Sequence, residues 1–539
     1  MHKLDSVKSH FDQSLKDKHL RELIKSKATV QDILANEHFA VDISRQKVDR
    51  EILDRFQELY HAELKDKIAA MYHGKPINTT EKRPVLHYLL RRQEEKAPAE
   101  SLQPFLEEIR ASLEKVRSFA AGVRSGELRS ASGERFENIV SIGIGGSYLG
   151  VEAVSEALKL NPTYSTKENL NLYFLSNVDP ASFHHLSSTL DPSKTIVLII
   201  SKSFTTAETV QNAKLVLDWM TQHYKATGVD SQTVIANHFC AVSANVAKCE
   251  EFGINKERVF EMWDSIGGRF SVSSCVGAVP LSLAFSFNAF EEMLRGMHYV
   301  DQMFFEQQEI TKNVPVLLGL LDAMHNYVQR FHTKAIIPYS QGLSRFAAHI
   351  QQVDMESNGK NYNAKTGQLL DASELVAKFV FGEPGTNSQH SFFQSLHQGR
   401  PAPIDFIGFC KSQAKTYVVD GKDCYNEFMA NMFAQADALA YGQENKTELH
   451  RHFEGDRPST IILFNGSLTA FNTGSLLALY EHRVAVEGFL ADINSFDQYG
   501  VELGKKLAAN IAKNLKTEGG KVPSETDLPP IVQYYNKRR

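Results

Sequence analysis

The sequence predicts an α/β protein with two separate parallel sheets flanked by helices, and three observations predict it. Short apolar runs alternate with helical patterns between residues 139 and 280, a long helical stretch follows at about Phe290 to Phe331, and the alternation then resumes. Parallel strands covered on both faces read as near-continuous apolar runs, and strand–helix alternation is how such sheets are connected.

Each element has its own signal. From Val48 to Met71, Ile52, Phe56, Leu59, Tyr60, Leu64 and Ile68 recur at helical spacing with Glu and Lys between them, an amphipathic helix packing on something larger. The first strand series is Ile139 to Gly143, Leu172 to Leu175, Thr195 to Ser201, His238 to Ser243 and Val259 to Trp263. The second is Ala335 to Tyr339, Phe379 to Gly382, Ile404 to Cys410 and Ser459 to Phe464, each followed by a helical pattern. The organisation expected is a helical N-terminal extension over 1–102 packing on two α/β lobes, 103–282 and 283–515, and a tail over 516–539. The segment Thr517 to Pro530, rich in Gly, Pro and charge, reads as surface-running chain. No residue-level repeat relates the two lobes.

Composition narrows the function. A chain of 539 residues with 42% hydrophobic content buries one large core or two medium ones. Formal net charge is -5, with both signs mixed along the chain, so the basic stripe of a nucleic-acid binder is absent and nucleic acid is not an expected partner. The five cysteines, Cys240, Cys249, Cys275, Cys410 and Cys424, are odd in number with no pair at metal-ligand or redox spacing; free thiols in a reducing compartment fit. The polar start, Met1 to Asp12, has no signal-peptide character and no segment reaches the length of a membrane span, so a cytoplasmic protein without membrane partners is expected.

Two strand-to-helix loops have anion-binding chemistry. Gly143-Ile144-Gly145-Gly146-Ser147 lets backbone approach a ligand where the first amides of a helix are unsatisfied. It lacks the Gly-Lys-Ser/Thr ending of a nucleotide loop, and Tyr148 and Leu149 push Gly150 out of dinucleotide register. Ser201-Lys202-Ser203-Phe204-Thr205-Thr206 precedes the helical stretch Ala207 to Trp219 and concentrates four hydroxyls and an ammonium at one helix start. Capping needs one hydroxyl, not four, so the loop reads as a phosphate monoester site. In open parallel sheets ligands gather beyond the carboxyl ends of strands, which would put both loops on one rim.

Candidates for moving a proton are fewer. Gln352 and Glu356 lie four apart on a helical stretch, Leu343 to Met355, that ends in the turn signal Ser357-Asn358-Gly359-Lys360, so the carboxylate stands at a helix end. Arg269 follows Gly267-Gly268 directly after a strand, where glycine lets a guanidinium come close to a ligand. Gly382-Glu383-Pro384-Gly385-Thr386-Asn387 is a polar turn leading to Gln389 and His390. Gln498, Glu502 and Lys505, three and four apart, would share a helical face; by themselves they read as a solvated charged stripe.

Taken together, these segments closely resemble the phosphoglucose isomerase family from about Asn78 to Leu515. Trp263 to Ser274, with Gly267-Gly268-Arg269-Phe270-Ser271, and NSFDQYGVELGK from Asn494 to Lys505 carry the resemblance most specifically. QQVDMESNGK from Gln351 to Lys360, GEPGTNSQH from Gly382 to His390 and GDRPSTIILFN from Gly455 to Asn465 add to it, as do the two loops. The resemblance implies two sugar-isomerase subdomains, with Ser201, Lys202, Ser203 and Thr206 on the sugar's phosphate and Gly146, Ser147, Gly268, Gln352 and Gln498 on the sugar. Glu356 resembles the family's catalytic base, His390 and Lys505 its ring-opening pair, and Arg269 its intermediate-stabilising cation. In the family the histidine comes from the partner subunit, which implies a homodimer with shared sites.

The reaction so implied interconverts D-glucose 6-phosphate and D-fructose 6-phosphate through a cis-enediol or enediolate, as in glycolysis and gluconeogenesis. Proton transfer with a cationic oxyanion partner needs no metal and no organic cofactor, so none is expected. Three departures stand out: Tyr499 where the family usually has tryptophan, Ser203 where threonine is common, and Tyr148 where aspartate often follows the glycine–serine turn. Alternatives within reach of the same fold are an isomerase that also accepts mannose 6-phosphate and a non-catalytic sugar-phosphate sensor. A glucosamine-phosphate synthase would need an N-terminal cysteine nucleophile, and no cysteine precedes Cys240.

Overall fold

Two β-sheets organise the chain in the computed structural model, which describes residues 2–31, 33–92, 96–515 and 528–539. The strands, in chain order, are β1 (Leu34–Ala35), β2 (Phe39–Asp42), β3 (Asn138–Ile142), β4 (Asn171–Phe174), β5 (Thr195–Ile200), β6 (Phe239–Ser243), β7 (Val259–Glu261), β8 (Thr333–Pro338), β9 (Phe379–Phe381), β10 (Ile404–Phe409), β11 (Val418–Val419), β12 (Lys422–Asp423) and β13 (Ser459–Phe464). The first sheet has five strands in the order β4-β3-β5-β6-β7, all parallel. Strands β3, β5 and β6 are buried along their whole length, as their uninterrupted apolar sequences require.

The second sheet has six strands in the order β1-β2-β13-β10-β8-β9. Its β13, β10, β8 and β9 are parallel, and β1 and β2 add to the β13 edge in antiparallel fashion. The N-terminal region, read from sequence as a helical extension, therefore also supplies a strand pair. Phe39 and Val41 are fully buried on β13, so the exposed edge of a parallel sheet is covered by the chain's own start. The amphipathic helix predicted over Val48 to Met71 runs as Arg50–Leu59, a π-turn at Tyr60–Leu64 and Lys65–Tyr72, with Ile52, Phe56, Leu64 and Ile68 buried.

Buried helices form the core around the sheets. Cys275–Ala284 packs on Gln103–Ser125 and Phe287–Glu306, while Ala470–Ala491, buried at every residue but Phe471, packs on Phe287–Glu306 and Val314–Ala323. The crossing of Phe287–Glu306 with Ala470–Ala491 is backbone on backbone. A Cβ on Gly296 would stand 1.9 Å from the Phe471 carbonyl oxygen and one on Gly474 2.0 Å from that of Met293, so only glycine fits at either position. All five cysteines are free. Among the described residues no helix is long and apolar enough to cross a membrane.

Residues Met1–Ser495 form one compact unit and Phe496–Arg539 a second. The second contains a 3-10 turn at Tyr499–Val501 and helices Glu502–Ala512 and Pro530–Arg538, joined by Asn536 Nδ2 donating to the Asn514 carbonyl at 2.8 Å. Of the tail predicted over 516–539, residues 516–527 lie outside the described residues.

Candidate active site

The loop after β5 ends at a 19-residue helix, Ala207–Lys225, whose N-cap Thr206 makes no side-chain capping hydrogen bond. Its first amides are therefore left for something else, and an anion is what a helix start favours. The hydroxyls of Ser203 and Thr205 bond each other at 2.7 Å, and Ser201 Oγ donates to Thr206 Oγ1 at 3.3 Å. Phe204 holds the turn: its backbone is left-handed, at φ 53°, and its side chain is buried in the core beneath the first sheet. Lys202 Nζ donates to the Asp264 carbonyl at 3.2 Å and lies 3.1 Å from the Asp264 carboxylate, so the loop after β5 is tied to the one after β7. Burial pulls the Lys202 ammonium below the usual lysine range.

The glycine loop after β3 lies on the same rim, since a Cβ on Gly143 would stand 3.3 Å from the carbonyl oxygen of Ile200 at the end of β5. Across from it is the Gly267-Gly268-Arg269 segment, and again backbone meets backbone. A Cβ on Gly146 would lie 2.2 Å from the Gly268 carbonyl carbon and 2.7 Å from the Arg269 nitrogen. Ser271 Oγ stitches the two loops by donating to the Gly268 carbonyl at 2.6 Å and the Gly146 carbonyl at 3.2 Å.

Arg269 and Glu356, 87 positions apart, meet here. The Arg269 side chain is fully buried; its Nη1 donates to Glu356 Oε1 at 2.9 Å, its Nε to Ser357 Oγ at 2.6 Å and its Nη2 to the Ser495 carbonyl at 2.6 Å. A guanidinium with its fork fixed on three residues of two segments is a rigid cation. Glu356 ends a π-turn, Gln352–Glu356, that continues the helix Phe346–Gln351. Gln352 Nε2 donates to the other carboxylate oxygen, Oε2, at 3.0 Å. The Glu356 side chain keeps 22% of its surface exposed, so the carboxylate is held at both oxygens and still reachable from outside. Gln352 also faces the glycine loop: a Cβ on Gly145 would lie 3.2 Å from its Nε2.

A model of one family, described as phosphoglucose isomerase, matches residues 42–527. The chain belongs to the phosphoglucose isomerase family. It is 42% identical to the cytosolic glucose-6-phosphate isomerase of Arabidopsis thaliana over 536 residues, covering 95% of this chain and 92% of that one. It is 43% identical to a cytosolic glucose-6-phosphate isomerase of Clarkia mildrediae, over 96% of this chain and 91% of that one. Among solved structures it is similar to a glucose-6-phosphate isomerase from Chlamydia trachomatis, with a TM-score of 0.83, 33% identity and coverage of 95% of each chain.

For a phosphoglucose isomerase, the remaining residues singled out from sequence divide into two groups. His390 ends a 3-10 turn, Asn387–His390, that follows β9; it is exposed, and among the described residues no hydrogen bond or ion pair joins it to Glu356, Arg269 or Gln352. Gln498 and Lys505 belong to the second compact unit. There the shared helical face predicted for Gln498, Glu502 and Lys505 does not form. Gln498 has non-helical backbone, φ -153° and ψ 41°, and the helix starts only at Glu502, beyond the turn that contains Gly500, a poor helix former.

Three contacts of the site were not legible in the sequence: Ser357 and Ser495 as acceptors for Arg269, and Asp264 as the partner of Lys202. Ser357 had only a turn signal and Ser495 acts through its backbone, which no side chain announces. Tyr148, one of the departures from the family pattern, packs edge-on against Phe174, and its hydroxyl lies 3.5 Å from Arg345 Nη2, while Arg345 Nε donates to Glu152 at 2.5 Å. Burial, with Glu152 nearby, pushes the Tyr148 phenol up to about 12. Among the described residues no group of three or more His, Cys, Asp or Glu is arranged to hold a metal ion.

Proposed function

We propose that this protein reversibly isomerises D-glucose 6-phosphate and D-fructose 6-phosphate in the cytosol; its relatives are named cytosolic glucose-6-phosphate isomerases. The observation that carries this reading is the Arg269–Glu356–Gln352 constellation at 2.9 and 3.0 Å, standing against the glycine loop on the rim that also bears the hydroxyl-rich helix start.

Ser201, Lys202, Ser203 and Thr206 hold the phosphate against the free amides of the helix Ala207–Lys225. Gly146, Ser147, Gly268, Gln352 and Gln498 contact the sugar, and the absence of side chains on Gly146 and Gly268 keeps the wall close. His390 and Lys505 open the ring by protonating the ring oxygen and taking the C1 hydroxyl proton. Glu356 removes the C2 proton of the open chain and returns it to C1 through a cis-enediol or enediolate. Arg269 stabilises the oxygen charge that develops, a role whose loss typically costs about 3 to 4 kcal/mol of barrier. In this reading His390 serves the partner subunit of a homodimer.

Glu356→Gln keeps the side chain's shape and removes the base. Glucose 6-phosphate binding should persist while solvent hydrogen exchange at its C2 and net turnover disappear. Wild-type-like turnover by this variant would overturn the assignment.

A further inference from the structure

The turn that carries Glu356 also carries a second carboxylate, Asp354, pointed into the protein. Asp354 is buried, and its Oδ2 lies 2.9 Å from Lys378 Nζ. Lys378 immediately precedes β9 and reaches a third element, the long buried helix, at Glu487 Oε2, 2.6 Å away. One residue upstream of Glu356's turn, Gln351 Nε2 donates to the carbonyl of Val380 in β9 at 2.9 Å, so turn and strand are joined twice.

Lys378 belongs to a larger buried cluster. Among the described residues four carboxylates, Asp322, Asp354, Asp405 and Glu487, face three cations, Lys334, Lys378 and Arg483. Burial pushes the Glu487 carboxyl up to about 8 and those of Asp405 and Asp354 above their ordinary value, against the pull of the cations. The cluster has two ends. At one, Lys378 grips the turn of Glu356; at the other, Lys334 and Arg483 hold Asp405 at 3.0 and 2.6 Å, with the Tyr480 hydroxyl at 2.7 Å.

We infer that the Asp354–Lys378 ion pair is a positioning device for the reaction: it locks the Gln352–Glu356 turn to β9 and to the helix Ala470–Ala491, and so sets where the Glu356 carboxylate stands. A π-turn is a local departure from the α-helix and needs outside contacts to keep its pitch. The carboxylate has to serve two neighbouring carbons in succession, which tolerates little displacement. The inference rests on the function proposed above and adds to it two residues, neither of which touches substrate.

The test deletes one lysine and one carboxylate at each end of the cluster. K378M/D354N removes the pair at the catalytic turn, and K334M/D405N removes its counterpart at the far end. A misplacement of about 1 Å costs on the order of 100-fold in rate, so kcat of K378M/D354N should fall at least about tenfold. Its KM should stay within about twofold, and C2 exchange should fall with kcat, because the interaction lost acts on the transition state. K334M/D405N should lose a similar amount of thermal stability with kcat unchanged, and K378R, which keeps the cation, should keep most of the rate. Unchanged kcat in K378M/D354N, or an equal fall in K334M/D405N, overturns the inference. Failure of the underlying function is separately visible, as no isomerase activity in wild type or normal turnover in Glu356→Gln.

Discussion

At the scale of single residues the site is built on a half-buried carboxylate paired with a wholly buried guanidinium. Glu356 has one donor on each oxygen and still faces outward, whereas every arm of Arg269 is committed, to Glu356, Ser357 and Ser495. In the core His238 is likewise fixed by partners on both ring nitrogens. Its Nδ1 donates to the Thr195 carbonyl at 2.8 Å, while its Nε2 accepts from the Ala131 amide at 3.1 Å and lies 3.0 Å from the Tyr224 hydroxyl. A proton on Nε2 would confront the Ala131 N–H, and burial holds the ring down at about 4. Between the ordinary histidine value of about 6.5 and pH 4 the unfolded chain binds more protons than the native one, so stability rises with pH across that window. This contribution is complete above about 6.5 and is lost as pH falls, at up to about 1.4 kcal/mol per pH unit. His238→Gln should therefore be less stable than wild type at pH 7.5, with the gap in urea midpoints closing toward pH 4.5; a constant gap would count against the neutral-histidine account.

Elements position these residues through their ends. Two helix starts make the point by contrast. The helix Ser231–His238 is capped by Asp230, whose carboxylate accepts from the Thr233 amide at 2.7 Å; the helix Ala207–Lys225 has no such cap. Asp230→Ala should lower the urea midpoint and leave KM alone. Thr206→Ala should leave stability within about 0.5 kcal/mol of wild type. Its KM for fructose 6-phosphate should instead rise on the order of tenfold, as expected for losing one bond to a charged group. A large stability loss at Thr206 with unchanged KM would mean that the loop is structural. The π-turn at Gln352–Glu356 is the other positioning element. Sequence placed Gln352 and Glu356 on one face, and the 3.0 Å bond between them keeps that relation despite the wider turn.

For the whole molecule, the decisive arrangement is that loops from β3, β5 and β7 share one rim, to which the second half of the chain brings Glu356. The dimer with shared sites, proposed from family membership and the exposed position of His390, has a direct test. Glu356→Gln and His390→Ala subunits should each be inactive alone. In a mixed dimer both defects fall in one site and the other is intact, so random reassortment should restore about a quarter of wild-type activity. No recovery in properly re-formed mixed dimers would show that each subunit is self-sufficient.

The sequence by itself determined the two strand series, the glycine and hydroxyl loops and the family, and singled out Glu356 and Arg269 as candidates. All of these lie in neighbouring residues: apolar runs long enough to mark buried strands, and motifs whose residue types act together. Only the tertiary structure decided that Phe39–Asp42 closes the second sheet, that Ser357 and the Ser495 backbone hold Arg269, that Gln498 stands off its helix, and that Lys378 binds Asp354. The reason is physical. The strand Phe39–Asp42 forms because an edge of β13 awaits it, and contacts between residues dozens of positions apart are set by packing, which no local pattern encodes.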